Sequence, residues 1–289
     1  MKISILTTIY NDISTVDIFL RSLASQEIPV DCEVEFLVCN DGSSDGTETV
    51  LREAKKYFDR ILYSLIENPI NKGFAFSVNR LYELSAGEII VFIDADAIPS
   101  SNYWLQNLLQ PLIENRYGIV QGNFWKQYVS SGFIAHQHEK WRKAAFLSRF
   151  GNADGTLKTL NTRNLALRRG IAEKAVETSG YLLNPHAVCG ADTELGFVIH
   201  KLNYKIFLCQ EAEVGHADPI LFFPLIKQKI HHGYNDGLIG ISYPQSYYHA
   251  MWKPFVTEGV SFLFSIPVAC SFAIANKIGR MFSCFKVKN

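Results

Sequence analysis

The chain has 289 residues, of which 48% are hydrophobic, enough for one large domain or a domain with an appendage, and this composition excludes a disordered or fibrous protein. Its 28 Lys and Arg balance its 28 Asp and Glu, which excludes nucleic acid as a partner recruited by bulk charge and leaves any phosphate recognition to local groups. The 6 cysteines are scattered with no Cys-x-x-Cys pair, so a zinc knuckle or redox motif is not indicated and reduced thiols of a cytosolic compartment fit best.

From the N-terminus, the apolar stretch Ile3 to Ile9 meets Asn11 and Asp12 too early for a signal peptide. Ile3 to Leu6 predicts a strand, Ser14 to Ser25 a helix, Val34 to Val38 a second strand, and Asp45 to Tyr57 a second helix. Ile61 to Leu65 predicts a third strand, Gly73 to Leu84 a helix, and Glu88 to Ile93 another strand. Repeated β-α units imply an α/β protein with a mostly parallel central sheet covered on both faces. Beyond Trp104 the pattern is less regular: Ile119-Val120 and Asn164 to Leu167 read as short strands, Ile134 to Arg149 and Asp192 to Lys201 as helices.

The most informative local feature is Asp94-Ala95-Asp96 at the end of the apolar run Ile89 to Ile93. In an extended segment, residues i and i+2 project to one side, and open α/β sheets bind ligands beyond the carboxyl ends of their strands. Two hard oxygen donors there suit Mg²⁺ or Mn²⁺ carrying a substrate's phosphates. Asp41 also stands at a strand end, in the turn Asn40-Asp41-Gly42-Ser43-Ser44-Asp45, where a carboxylate can accept from a nucleobase imide or ribose hydroxyls and Asp45 can cap the next helix.

Thr7-Thr8-Ile9-Tyr10-Asn11, the Asp41 turn, Asn71-Lys72-Gly73, Gly87-Glu88 and Asp94-Ala95-Asp96, in that order, resemble a family-2 glycosyltransferase over roughly Lys2 to His216. The resemblance implies a GT-A fold (Rossmann-like, of the nucleotide-diphospho-sugar transferases), a nucleotide-diphosphate sugar donor with UDP favoured, a Mn²⁺ or Mg²⁺ cofactor, and inversion at the anomeric carbon. It implies that Thr8, Tyr10 and Asp41 hold the base and ribose, that Lys72-Gly73 passes close to the nucleotide, and that Asp94 contacts the ribose or the metal shell. Asp96 would bind the metal, with His216 of Glu213-Val214-Gly215-His216 as a further ligand. Asn164, in Thr162-Arg163-Asn164-Leu165, matches the segment lining the donor-sugar pocket, while Arg168 and Arg169 cap or solvate the following helix. Asp192 of Gly190-Ala191-Asp192-Thr193-Glu194 matches the general base, although Ala191 replaces the family's usual first acid; read by itself, Asp192 is also a suitable helix N-cap. Trp125, Tyr128 and Trp141 are suited either to stacking on an acceptor or to filling a core. Gln228-Lys229-Ile230-His231-His232 lacks the arginine and tryptophan of the motif in processive relatives, which implies transfer of a single sugar.

Other chemistries fit less well. A haloacid-dehalogenase-type phosphohydrolase needs its aspartates on the first strand, a nucleotidyltransferase needs a glycine-rich, Arg-bearing first loop, and a non-catalytic sugar-binding scaffold would not need Asp96 and Asp192. The expected organisation is a catalytic domain over residues 1–220, its nucleotide half about 1–100 and acceptor half about 101–220, followed by a helical segment at 221–289. From Phe255 to Ala275 that segment is almost wholly apolar, interrupted by Glu258 and Pro267, and is followed by Lys277, Arg280, Lys286 and Lys288. It reads as a membrane-associating helix on the anionic cytoplasmic leaflet, in keeping with a saccharide or lipid-linked acceptor, and alternatively as a core helix.

Overall fold

The computed structural model describes residues 1–127, 150–187 and 190–216, with isolated positions between 139 and 147 and at 230, 274 and 278. The chain divides into two compact units, one of Met1–Lys126, Asn152–Ala187 and Ala191–His216, the other of Gln127–Gly151, Val188–Gly190 and Ala217–Asn289. Most of the second unit, including the apolar run Phe255 to Ala275 and most of the expected helix Ile134 to Arg149, lies outside the described residues. Among the described residues no helix is long and apolar enough to cross a membrane.

The first unit begins with β1 (Lys2–Ile9), α1 (Val16–Ala24), β2 (Glu33–Asn40), α2 (Thr47–Glu53, continued by a 3-10 turn to Tyr57), β3 (Leu62–Glu67), α3 (Phe74–Leu84) and β4 (Ile89–Ile93). Each expected element is present; β1 is four residues longer than expected, β2 three and β3 one, while β4 is one residue shorter. β1 pairs in parallel with β2 and β4, and β2 with β3. Every residue of β4 is buried, as a strand covered on both faces requires. Val16, Phe19, Leu20 and Leu23 of α1 face this sheet, and Phe36 at its centre meets the rings of Phe19, Phe58 and Tyr63 at 6.3, 5.4 and 5.8 Å. Each such side chain stabilises the fold by roughly 1.5–3 kcal/mol.

Beyond β4 come β5 (Ala97–Pro99), α4 (Trp104–Ile113), β6 (Ile119–Gln127), β7 (Thr156–Leu157), β8 (Asn164–Arg168), α5 (Arg169–Ser179), α6 (Ala191–Lys201) and β9 (Ile206–His216). The strand order is β3-β2-β1-β4-β8-β6-β9-β5, with β7 beside β9. The pairs β4–β8, β6–β8, β5–β9 and β7–β9 are antiparallel, so the expectation of a mostly parallel sheet is corrected to a mixed one, parallel only in its first half. A buried apolar run carries no mark of strand direction; direction followed from β-α alternation, and that alternation ends at β4.

Candidate active site

The loops after β1, β2 and β3 are tied together by their own polar side chains. Asn11 donates its amide N–H to Ser43 Oγ at 3.0 Å and accepts from Ser44 N at 2.8 Å; Asp45 accepts from Thr47 N and from Ile13 N, both at 3.0 Å. Asp41 is buried, and its carboxylate receives Asn68 Nδ2 at 2.7 Å and the backbone N–H groups of Lys72 and Gly73, each at 2.9 Å. Asp41 therefore shapes the Lys72-Gly73 turn. Gly42, with φ +74°, passes so close to that turn that a Cβ would lie 2.5 Å from the carbonyl carbon of Ile70. Thr8 is half-buried beside this turn's strand neighbour β2, Lys72 is exposed, and Tyr10 is 50% exposed just beyond β1, so its ring is accessible to a flat partner.

Strand register sets the acidic cluster. Because Ile93 lies opposite Asn164 in the antiparallel β4–β8 pair, the next residue, Asp94, meets Arg163, with Nε 3.4 Å from Oδ2. Ala97 lies opposite His216 in β5–β9, so Asp96, one residue before, reaches His216 Nε2 at 2.8 Å. Burial raises the Asp94 carboxyl above the usual carboxylate range; the Arg163 guanidinium opposes this, and the Asp96 and Asp192 charges add to it. Burial also acts to raise Asp96, but the hydrogen bond and charge of His216, with help from Arg163, prevail and hold it below that range. Neighbouring carboxylates thus stand in opposite electrostatic settings.

Among the described residues no three His, Cys, Asp or Glu side chains are grouped so as to hold a metal by themselves. The chemistry of the donor set still fits Mn²⁺ or Mg²⁺ completed by ligand oxygens: Asp96 and His216 supply a carboxylate and an imidazole already in contact, and Asp96 keeps 43% of its side-chain surface open.

Asp192 stands in the first turn of α6, as expected, with Oδ1 receiving Thr193 N and Oδ2 receiving Asn161 Nδ2, each at 2.8 Å. Burial raises its carboxyl, which makes its conjugate base a better proton acceptor. Glu194 of the same turn accepts from Tyr181 and Asn184 and so is structural.

Asn164 does not reach a sugar pocket. It is fully buried, with Oδ1 taking Trp104 Nε1 at 3.0 Å and Nδ2 donating to Asn123 O and Ala212 O at 2.9 and 2.8 Å, so no side-chain polar atom remains for a donor. Trp125 is a core residue, while Tyr128, Trp141 and the Gln228 string lie outside the described residues. Arg169 binds the α3–β4 turn through Gly87 O and Ser85 instead of solvating a helix. Sequence reading missed Asn68, Arg163 and Asn161: each partners an acidic site residue far away in the chain, and only the strand end or motif beside it gives any local signal.

The glycosyl transferase family 2 model matches residues 4–175. Glycosyltransferase AglE of Haloferax volcanii is 25% identical over 182 residues, covering 63% of this chain and 57% of that protein. A poly-β-1,6-N-acetyl-D-glucosamine synthase of Staphylococcus epidermidis is 34% identical over 96 residues, 33% of this chain and 22% of the synthase, so the matched part spans less than two thirds of either relative. Among solved structures, the mannosyltransferase PcManGT of Pyrobaculum calidifontis, bound to GDP-Man and Mn²⁺, superposes with a TM-score of 0.62 at 18% identity over 94% of this chain and 74% of its own. S. aureus TarS 1-349 in complex with UDP-GlcNAc gives 0.56 at 13% identity over 100% and 92%. These neighbours share the GT-A fold, and with a family model that runs from β1 into α5 over more than half of its length, the chain belongs to glycosyl transferase family 2.

Proposed function

We propose that the protein is an inverting, metal-dependent enzyme that moves one sugar from a nucleotide-diphosphate donor, UDP-sugar favoured, to a saccharide or lipid-linked acceptor in cell-surface glycoconjugate synthesis. The observation that carries this reading is the cluster at the ends of β4 and β9, where Asp96 meets His216 at 2.8 Å beside Asp94 and its partner Arg163. Bound nucleotide sugars in the PcManGT and TarS structures, and Mn²⁺ in the former, support the donor class and the cofactor.

Thr8, Tyr10 and Asp41, whose carboxylate also holds the Lys72-Gly73 turn, bind the base and ribose, and Lys72 and Gly73 pass close to the nucleotide. Asp96 and His216 would hold Mn²⁺ or Mg²⁺, and Asp94, restrained by Arg163, would border the ribose or the metal shell. When bound, the ion neutralises charge on the diphosphate leaving group. Asp192 takes the proton of the acceptor hydroxyl; that oxygen forms its bond to the anomeric carbon as the bond to the diphosphate breaks, the electron pair leaving with the nucleoside diphosphate. The phosphohydrolase reading fails on placement, because Asp94 follows the fourth strand and not the first.

The apolar run Phe255 to Ala275 and its basic flank support a peripheral or C-terminally anchored position at the cytoplasmic face of a membrane, where a lipid-linked acceptor would lie.

The test is nucleoside-diphosphate release from a panel of UDP- and GDP-sugars by the purified full chain with Mn²⁺. Asp96→Asn should lower turnover by about 10²-fold or more, Asp192→Asn by about 10²-fold with nucleotide affinity retained, and excess EDTA should stop the reaction. Undiminished release in EDTA would overturn the metal-dependent reading, and full activity of Asp192→Asn would overturn the assignment of the base.

A further inference from the structure

The segment between β7 and β8 is fastened to the sheet and to α6 more firmly than a connecting loop requires. Gln121 of β6 is fully buried and its amide grips the segment: Oε1 receives Asn161 N at 2.7 Å, and Nε2 donates to Asn161 O at 3.1 Å, to Asn164 O at the start of β8 at 2.7 Å, and to Gly122 O of its own strand at 3.4 Å. On the other side, Gly196 brings α6 against the same segment, so close that a Cβ there would lie 2.1 Å from Thr159 Oγ1 and 2.8 Å from Leu160 N. Thr159 Oγ1 also reaches Thr193 O at 3.4 Å. Gly196 and Asp192 are four residues apart on one helix, hence on one face, and the approach that Gly196 permits delivers Asn161 to Asp192.

With the loop held by these contacts, the Asn161 side chain is not needed to hold it. Its orientation is nonetheless fixed: Oδ1 accepts from Arg163 N at 3.0 Å, which turns the NH₂ group toward Asp192 Oδ2, to which it donates at 2.8 Å. The carboxylate is thereby held at both oxygens, by Thr193 N and by a neutral donor that carries no acid of its own.

Resting on the reading of Asp192 as the general base, we propose that Asn161 is its positioning residue, locking the plane of the Asp192 carboxylate from a loop that Gln121 and Gly196 fix in place. Among the described residues, Arg163 favours the ionised form of Asp192, and the charge of Asp94 interacts with it. The Asn161 donor adds a hydrogen bond that the ionised form alone accepts strongly.

The test uses the full chain with ¹³C-labelled aspartate carboxyls, the Asp192 resonance being the one that Asp192→Asn removes. Asn161→Ala should raise the midpoint of that resonance by about 0.5–1 pH unit, as expected when a hydrogen bond to a carboxylate is lost, and Asn161→Ser, which keeps a shorter donor, should give an intermediate value. In hydrolysis of UDP-GlcNAc with Mn²⁺, Asn161→Ala should lower kcat by about tenfold with KM within about twofold, and shift the acidic limb of the pH profile in the same direction. An unmoved midpoint in Asn161→Ala overturns the proposal, and so does a fall in kcat matched only by a lower melting temperature, which marks Asn161 as structural. If Asp192→Asn is inactive while Asn161→Ala keeps native kcat and midpoint, Asn161 is not a positioning residue and the base assignment stands. Full turnover by Asp192→Asn defeats both.

Discussion

Asn164 and Asp96 lie on neighbouring parts of the sheet, yet they hold opposite positions. Asn164 is closed off by three partners from three elements, whereas Asp96 keeps an open face and meets His216, a residue suited to the same ion. Replacing Asn164 by Leu leaves the Trp104 indole N–H and two backbone carbonyls without partners in a dry core. Unfolding free energy should fall by about 3 kcal/mol, read as a lower urea midpoint at unchanged slope. Asp96→Asn removes a charge that His216 and Arg163 favour, so it should cost about 1 kcal/mol, a figure discounted for the open face of the carboxylate, while removing turnover. The motif match placed both residues at the site; what separates them is the number of buried donors and acceptors each must satisfy, which depends on residues far away in the chain, from Asn123 beside Asn164 to His216 beside Asp96.

At the scale of elements, Glu35 links β2 to β1 and to the α3–β4 turn. Its carboxylate receives Ser4 Oγ at 2.5 Å and Ala86 N at 2.7 Å and pairs with Lys2 at 2.7 Å. Burial acts to raise its pKa, but the hydrogen bonds from Lys2, Ser4 and Ala86 outweigh this and set it below its ordinary 4.5. A lowered carboxyl stabilises the fold above its unfolded pKa and loses that contribution as pH falls through the folded value. Glu35→Gln should therefore cost about 1–2 kcal/mol at pH 7, and the gap between native and variant should close below pH ~4.5 in denaturant titrations at stepped pH. A constant gap down to pH ~2 would count against the ionic role. In α6, Gly196→Ala gains helix propensity of about 1 kcal/mol but drives a Cβ into Thr159 and Leu160, at a cost of about 1–3 kcal/mol. The net loss should show as a lower melting temperature, and because the same approach seats Asn161 on Asp192, turnover should fall too.

For the whole molecule, the C-terminal apolar run and its basic flank predict association with anionic membranes through both buried apolar area and charge. Truncation after Lys253 should leave a chain that hydrolyses nucleotide sugar slowly but no longer sediments with vesicles containing anionic lipid. Equal sedimentation of both forms would refute the anchor, and an insoluble truncation would favour a core helix.

The sequence alone determined the α/β alternation up to β4, because a buried strand must be apolar along its length and a surface helix on one face, and both patterns are local. It also determined Asp41, Asp94, Asp96 and Asp192 as candidates, because a carboxylate at a strand end or helix start is visible in a few residues. α4 was missed although Trp104, Leu105, Leu108, Leu109 and Leu112 keep helical spacing, because Pro111 in its last turn reads as a helix breaker. Only the tertiary structure decided that the second half of the sheet runs antiparallel, and with it which residues face the acids. Arg163 meets Asp94 and His216 meets Asp96 by strand register, and Asn161 meets Asp192 by the close approach at Gly196. Register and approach distance arise between segments far apart in the chain, and no local pattern of residues encodes them.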